Sequence, residues 1–123
     1  MPRFPTLVIL GLLLGLSSRA WAQIYATPTP YCGGQVVAEL FNTDVVPGPS
    51  GRATYSTRLY NASGRAQRLL VQAVGDMLNR YNQQISLSAG QRLTITLGTS
   101  NAIPGKQYLR GEALAQTLRV SCL

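Results

Sequence analysis

The chain holds few residues able to do chemistry, and their spacing points to structure before reaction. Two cysteines, Cys32 and Cys122, stand 90 residues apart. They lack the Cys-x-x-Cys spacing of a redox-active pair, and in an oxidising compartment such a pair closes into a structural bridge. No histidine occurs anywhere, which removes the commonest general base and the usual partner of a serine or cysteine nucleophile. Nothing in the spacing of the four carboxylates, Glu39, Asp44, Asp76 and Glu112, is expected to put two of them on one element facing across a cleft, as glycoside hydrolysis requires. Structural zinc needs four Cys or His ligands and calcium a cluster of Asp and Asn; the sequence offers neither. Gly33-Gly34 and the other glycines read as turn residues, because no phosphate-binding Gly-x-x-x-x-Gly-Lys-Ser/Thr occurs. We therefore expect no catalytic residue, metal ligand or cofactor, and a chain that is not an enzyme.

Binding chemistry is what remains. Tyr25, Tyr31, Tyr55, Tyr60, Tyr81 and Tyr108 each carry an apolar ring with a polar tip, a combination suited to recognition surfaces. Tyr60 falls out of step with the apolar positions Tyr55 and Leu59 and lands beside Arg58, while Arg119 takes an outward position near the end of the chain. Arg58, Tyr60 and Arg119 are the candidate binding surface. Asn61-Ala62-Ser63 has the form of a glycosylation acceptor.

The start of the chain reads as an export signal. Arg3 precedes the apolar run Leu7–Leu16, and Ala20-Trp21-Ala22 follows. The small-x-small pattern places cleavage before Gln23. Ten apolar residues span about 15 Å as a helix, half of the ~30 Å hydrocarbon core, so no stable membrane insertion is expected after processing. Removal of residues 1–22 leaves 101 residues, one domain by size. The full chain carries +7; without Arg3 and Arg19, nine basic residues stand against four acidic, a net of +5. The basic residues form no run of the kind that binds nucleic acid. A periplasmic or secreted location is expected.

These side chains must be positioned by strands. Residues 23–31, with Thr27-Pro28-Thr29-Pro30, form a Pro-containing lead-in, since proline cannot donate to a ladder. Residues 32–123 form a single disulfide-closed β domain. A first strand is expected over Gln35–Phe41, and Val46–Gly51 reads as a loop. From Ala53 to Tyr60, apolar and polar residues alternate with the period of a half-buried strand. The same period recurs at Ile85–Leu87, at Leu93–Leu97 and from Leu114 to Cys122, with Gly98–Lys106 as a loop between the last two. The bridge would then join first strand to last. Short alternating strands with frequent turn signals predict an all-β, immunoglobulin-like β-sandwich.

Arg65–Tyr81 is ambiguous. Ala66, Leu70, Ala73, Met77 and Tyr81 recur at helical intervals, and Ser63 is placed to cap, which would make the fold α+β with one helix at 65–81. Gly75 interrupts that helix, and Gln67–Val74 reads equally as a strand paired with Ala53–Tyr60 across the Asn61–Gly64 turn. The strand reading is favoured, with Gly75–Asn82 as a long connection.

The layout resembles that of small periplasmic immunoglobulin-like accessory proteins of curli fibre assembly. The residues that carry the resemblance are the signal, Cys32, the strand end Leu59-Tyr60-Asn61, the run from Ser88-Ala89-Gly90-Gln91 through Leu97-Gly98, and the terminal strand ending at Cys122. It implies a chaperone-like binding module whose partner is another protein, such as a fibre subunit; it transfers no functional residue. The alternative expectation is an exported protein that binds an anionic surface, polysaccharide or lipid head groups, through its scattered arginines.

Overall fold

Period-two alternation becomes structure in the computed structural model, which describes residues 21–48, 51–75 and 77–123. The expected signal peptide lies outside the described residues except for Trp21 and Ala22. In chain order the elements are β1 (Trp21–Tyr25), β2 (Thr29–Tyr31), a 3-10 turn (Cys32–Gly34), β3 (Val36–Val46), β4 (Arg52–Asn61), β5 (Gln67–Gly75), β6 (Leu78–Leu87), β7 (Arg92–Asn101), α1 (Gly111–Ala115) and β8 (Leu118–Cys122). They form two antiparallel sheets. The larger has the order β3-β4-β7, with β1 and β2 both paired to β3; the smaller has the order β6-β5-β8.

The core fills the space between the sheets. From β4 come Ala53, Tyr55, Thr57, Leu59 and Asn61, all buried, with Thr54, Ser56, Arg58 and Tyr60 turned outward. From β5 come Gln67, Leu69, Val71 and Ala73. Val36, Phe41, Leu87, Leu97, Leu114 and Leu118 complete it, each large side chain contributing about 1.5–3 kcal/mol on burial. Leu114 caps one end from α1. Thr43 Oγ1 donates to the Leu109 carbonyl at 2.8 Å, and the Leu109 amide donates to Tyr55 Oη at 3.3 Å, which pins the long β7–α1 connection over the core.

Several expectations need correction. Gln67–Gly75 is strand and not helix, as favoured, and the one α-helix among the described residues is α1. The expected pairing of Gln67–Val74 with Ala53–Tyr60 does not occur: β4 pairs with β3 and β7, whereas β5 pairs with β6 and β8, so the Asn61–Gly64 turn carries the chain from one sheet to the other. Alternation fixes which face a strand buries but not which strand lies beside it. The long connection at Gly75–Asn82 is short, because β6 begins at Leu78. The first long strand continues to Val46, β7 continues through Gly98 to Asn101, and Leu114 belongs to α1 rather than to the last strand. The lead-in itself carries β1 and β2, and the expected cleavage point falls within β1.

Asn61 holds the corner between the sheets. Its buried Nδ2 donates to the carbonyls of Arg65 (2.8 Å), Leu87 (3.1 Å) and Ser88 (3.0 Å). Its Oδ1 accepts from the Ser63 amide (3.0 Å) and hydroxyl (2.7 Å). One side chain thus ties the β4–β5 crossing to the β6–β7 turn. Fully buried and occupied, Asn61 is unavailable as a glycan acceptor in the folded chain.

Candidate functional site

The two sheets meet differently along their two sides. On one side β6 runs into β7 through the Ser88–Gln91 turn, where the Gln91 amide donates to the Ser88 carbonyl at 3.0 Å and the Asn61 amide donates to the Gln91 carbonyl at 2.9 Å. On the other side the two sheets leave a seam, with β1 and β2 along one lip and β8 along the other. Cys32 and Cys122 close one end of it in a disulfide with Cα atoms 6.0 Å apart. The bridge therefore joins the 3-10 turn between β2 and β3 to the last strand, across the sheets, instead of joining two strands as expected.

The β8 lip is a free sheet edge. The Val74 amide donates to the Thr117 carbonyl (3.2 Å) and the Leu123 amide to the Arg68 carbonyl (2.9 Å). In an antiparallel ladder hydrogen-bonded pairs alternate with non-bonded ones, so Thr117, Arg119, Ser121 and Leu123 turn their backbone groups toward β5. Leu118, Val120 and Cys122 turn theirs away from it. Among the described residues no backbone group bonds to those three, and only the Leu118 carbonyl has a side-chain donor, Arg119 Nη1 at 3.4 Å. Behind this edge lies a cleft of about 300 Å³ lined by Tyr25, Thr29, Tyr31, Ala115, Leu118 and Arg119, among others. Tyr31 is half-buried there. Desolvation pushes its phenol above the ordinary value, partly offset by the positive charge of Arg119.

Of the three residues expected to form a binding surface, the structure brings two together and separates the third. Arg58 and Tyr60 share the outer face of the larger sheet, but both are engaged. Glu39 protrudes where the β3–β4 register shifts between Ala38 and Leu40, and its Oε1 accepts from Arg58 Nε at 2.9 Å and from Arg92 Nε at 3.0 Å. The Arg92 guanidinium lies 4.0 Å over the Tyr60 ring. Partial desolvation works against ionisation of Glu39, yet the hydrogen bonds and charges of Arg92 and Arg58 outweigh it and hold the carboxyl below its ordinary value. Arg119 stands on the outer face of the smaller sheet, next to the seam. There it borders a groove of about 280 Å³ with Gln72, Val74, Arg80, Asn82 and Thr117 among its walls.

Sequence reasoning passed over Glu39, Arg92, Arg80, Gln72 and Asn82. The signal for the last two was present, since the polar members of the alternating runs 68–74 and 80–86 include amides as well as charges. The partnership of Glu39 with Arg58 and Arg92 had no sequence signal, being set by strand pairing across 19 and 53 residues. Among the described residues no group of three or more His, Cys, Asp or Glu is placed to hold a metal ion, and no helix is long and apolar enough to cross a membrane. Comparison of the chain with protein-family models, with curated proteins and with solved structures finds no match.

Proposed function

We propose that this is an exported, non-enzymatic binding module that takes up an extended segment of another protein along β8, serving as an accessory or chaperone-like factor for an extracellular fibre or secretion assembly. The observation that carries the reading is the free edge of β8 beside the seam cleft. An extended chain laid there would bond to the backbone groups of Leu118, Val120 and Cys122, and its alternate side chains would enter the cleft between Tyr25, Tyr31 and Leu118.

The order of strands supports an immunoglobulin-like reading of the fold. In such sandwiches the A, B and E strands are consecutive in one sheet, and C, F and G in the other. Taking β3, β4 and β7 as A, B and E, and β6, β5 and β8 as C′, C and F, the strands without a counterpart are D, which would lie beside β7, and G; β1 and β2 are additions beside A. The G position, next to F, is the unpaired side of β8. A partner segment seated there would complete the sheet. Export is consistent with the Cys32–Cys122 bridge.

The test is the lag time of fibre formation by a curli-type subunit in the presence of substoichiometric mature protein. The wild type should lengthen the lag. Val120→Pro should not, because proline removes an outward-facing amide without breaking the β5 ladder; circular dichroism and the unfolding midpoint report that the variant is folded. Arg119→Glu should weaken the delay and Arg58→Glu, on the other sheet, should not. Unchanged lag with oxidised wild-type protein across a tenfold concentration range would remove the fibre-accessory reading.

A further inference from the structure

The two outer sheet faces treat their arginines differently. On the larger sheet, Glu39 binds Arg58 and Arg92, and Asp44 stands two positions from the outward Asn42 on the same strand. Among the described residues the smaller sheet has no such neutralisation. Its ladder register places Asn82, Gln72 and Arg119 side by side in one row, Gln84, Leu70 and Ser121 in the next, and Ser86 beside Arg68 in a third. Val74 and Thr117 are neighbours at the other end, with Arg80 on the β6 side. Leu69, Val71 and Ala73 between them are buried, so this row set faces outward. Among its described residues the face holds three arginines, three amides and three hydroxyls, and no side-chain carboxylate.

Arg119 is braced for this position. Its Nη1 donates to the Gln116 carbonyl at 3.0 Å and more weakly to the Leu118 carbonyl, while Nε and Nη2 make no hydrogen bond among the described residues. Arg119 and Arg80 both line the groove of about 280 Å³, with Gln72 and Asn82 among its other walls. Two guanidinium groups at one groove suit a carboxylate, which accepts paired N–H donors. The amides beside them each offer both donors and an acceptor, which matches hydroxyl groups that themselves both give and take.

We propose that the outer face of the β6-β5-β8 sheet is a binding site for a carboxylated polysaccharide, with a uronate carboxylate seated between Arg80 and Arg119 and the sugar hydroxyls on Gln72, Asn82 and Gln84. A polysaccharide is favoured over an acidic peptide because an extended peptide pairs its backbone best with a strand edge, which this face does not present, whereas each sugar brings several hydroxyls to the amide row. It is favoured over a lipid surface because the apolar side chains of the face are dispersed: Leu70 is half-buried, and the exposed Val74 and Leu123 stand at opposite ends of the strands, beside Thr117 and Arg68. The site shares Arg119 with the seam cleft, but strand uptake also needs the backbone edge of β8, which sugar binding on the outer face does not.

The experiment is affinity electrophoresis and titration calorimetry of the mature, oxidised protein with polygalacturonate, dextran and polyglutamate. Polygalacturonate should bind, and dextran and polyglutamate should bind at least tenfold more weakly. Arg80→Gln and Arg119→Gln should each weaken polygalacturonate binding about tenfold, the scale of a lost hydrogen bond to a charged group. Val120→Pro should leave it unchanged, which separates failure here from failure of strand uptake. Glu39→Gln raises the net charge on the opposite sheet and should also leave it unchanged. Equal binding of polyglutamate, strengthening by Glu39→Gln, or indifference to both arginine substitutions would overturn the proposal.

Discussion

Replacing both Cys32 and Cys122 by alanine removes the only covalent tie across the seam, and its cost follows from the chain length it closes. The bridge spans 90 residues. In the loop-entropy model, closing a loop of that size restricts the unfolded chain by about 4.6 kcal/mol. A domain of about 100 residues unfolds with an entropy near 0.2 kcal/mol/K, so the midpoint should fall by about 20 °C. The loss should also have a place. Strand β8 has a single ladder partner, β5, whereas β5 is flanked by β6 as well, so with the bridge gone β8 should detach before the rest of its sheet. Differential scanning calorimetry measures the first effect and amide hydrogen exchange the second. The amides of Arg119, Ser121 and Leu123, which bond toward β5, should lose protection ahead of those between β5 and β6. A midpoint drop of less than about 5 °C, or equal loss across the β6-β5-β8 sheet, would refute the picture of a seam held at one end by the disulfide.

Two further outcomes test the parts that support this frame. Asn61→Ala leaves three carbonyls and the Ser63 donors at the sheet crossing without their partner, and should cost about 3 kcal/mol in urea unfolding; a loss below 1 kcal/mol would remove Asn61 as the tie between the two turns. Because the carboxyl of Glu39 is held below its ordinary value of 4.5, its contribution is present above that value and lost as pH falls through the depressed one. Its arginine partners are largely solvent-exposed, so wild type and Glu39→Gln should differ by less than about 1 kcal/mol at pH 7. The difference should vanish in acid, and one that grows on acidification would contradict the assignment.

How far the sequence reveals this fold depends on whether a feature is local. The alternation at Ala53–Tyr60 marks β4 because burying one face is a property of consecutive residues. The strand at Gln67–Gly75 was legible for the same reason, with Gly75 weighing against a helix. The Cys32–Cys122 bridge followed from compartment and number alone. Strand partners were not legible: the run after Asn61-Ala62-Ser63-Gly64 looks like the second arm of a hairpin, and only the buried Asn61 network turns it into a crossing between sheets. Helix α1 is five residues long, too short to establish a helical period, and Leu114 fits the strand pattern that follows it. Of the candidate site, the outward direction of Arg58, Tyr60 and Arg119 was legible, but the neutralisation of Arg58 was not, since it depends on a bulge that aims Glu39 at side chains of β4 and β7.

The proposed function stands on β8 as an unpaired edge able to receive an extended chain. The most direct measurement is hydrogen exchange, resolved by residue, on mature oxidised protein with and without a freshly unfolded curli-type subunit. The amides of Leu118, Val120 and Cys122, which point away from β5, should gain protection on addition of the subunit, while those of Arg119 and Ser121 should change little. Binding that protects other surfaces and leaves those three amides exchanging as in the free protein would contradict it.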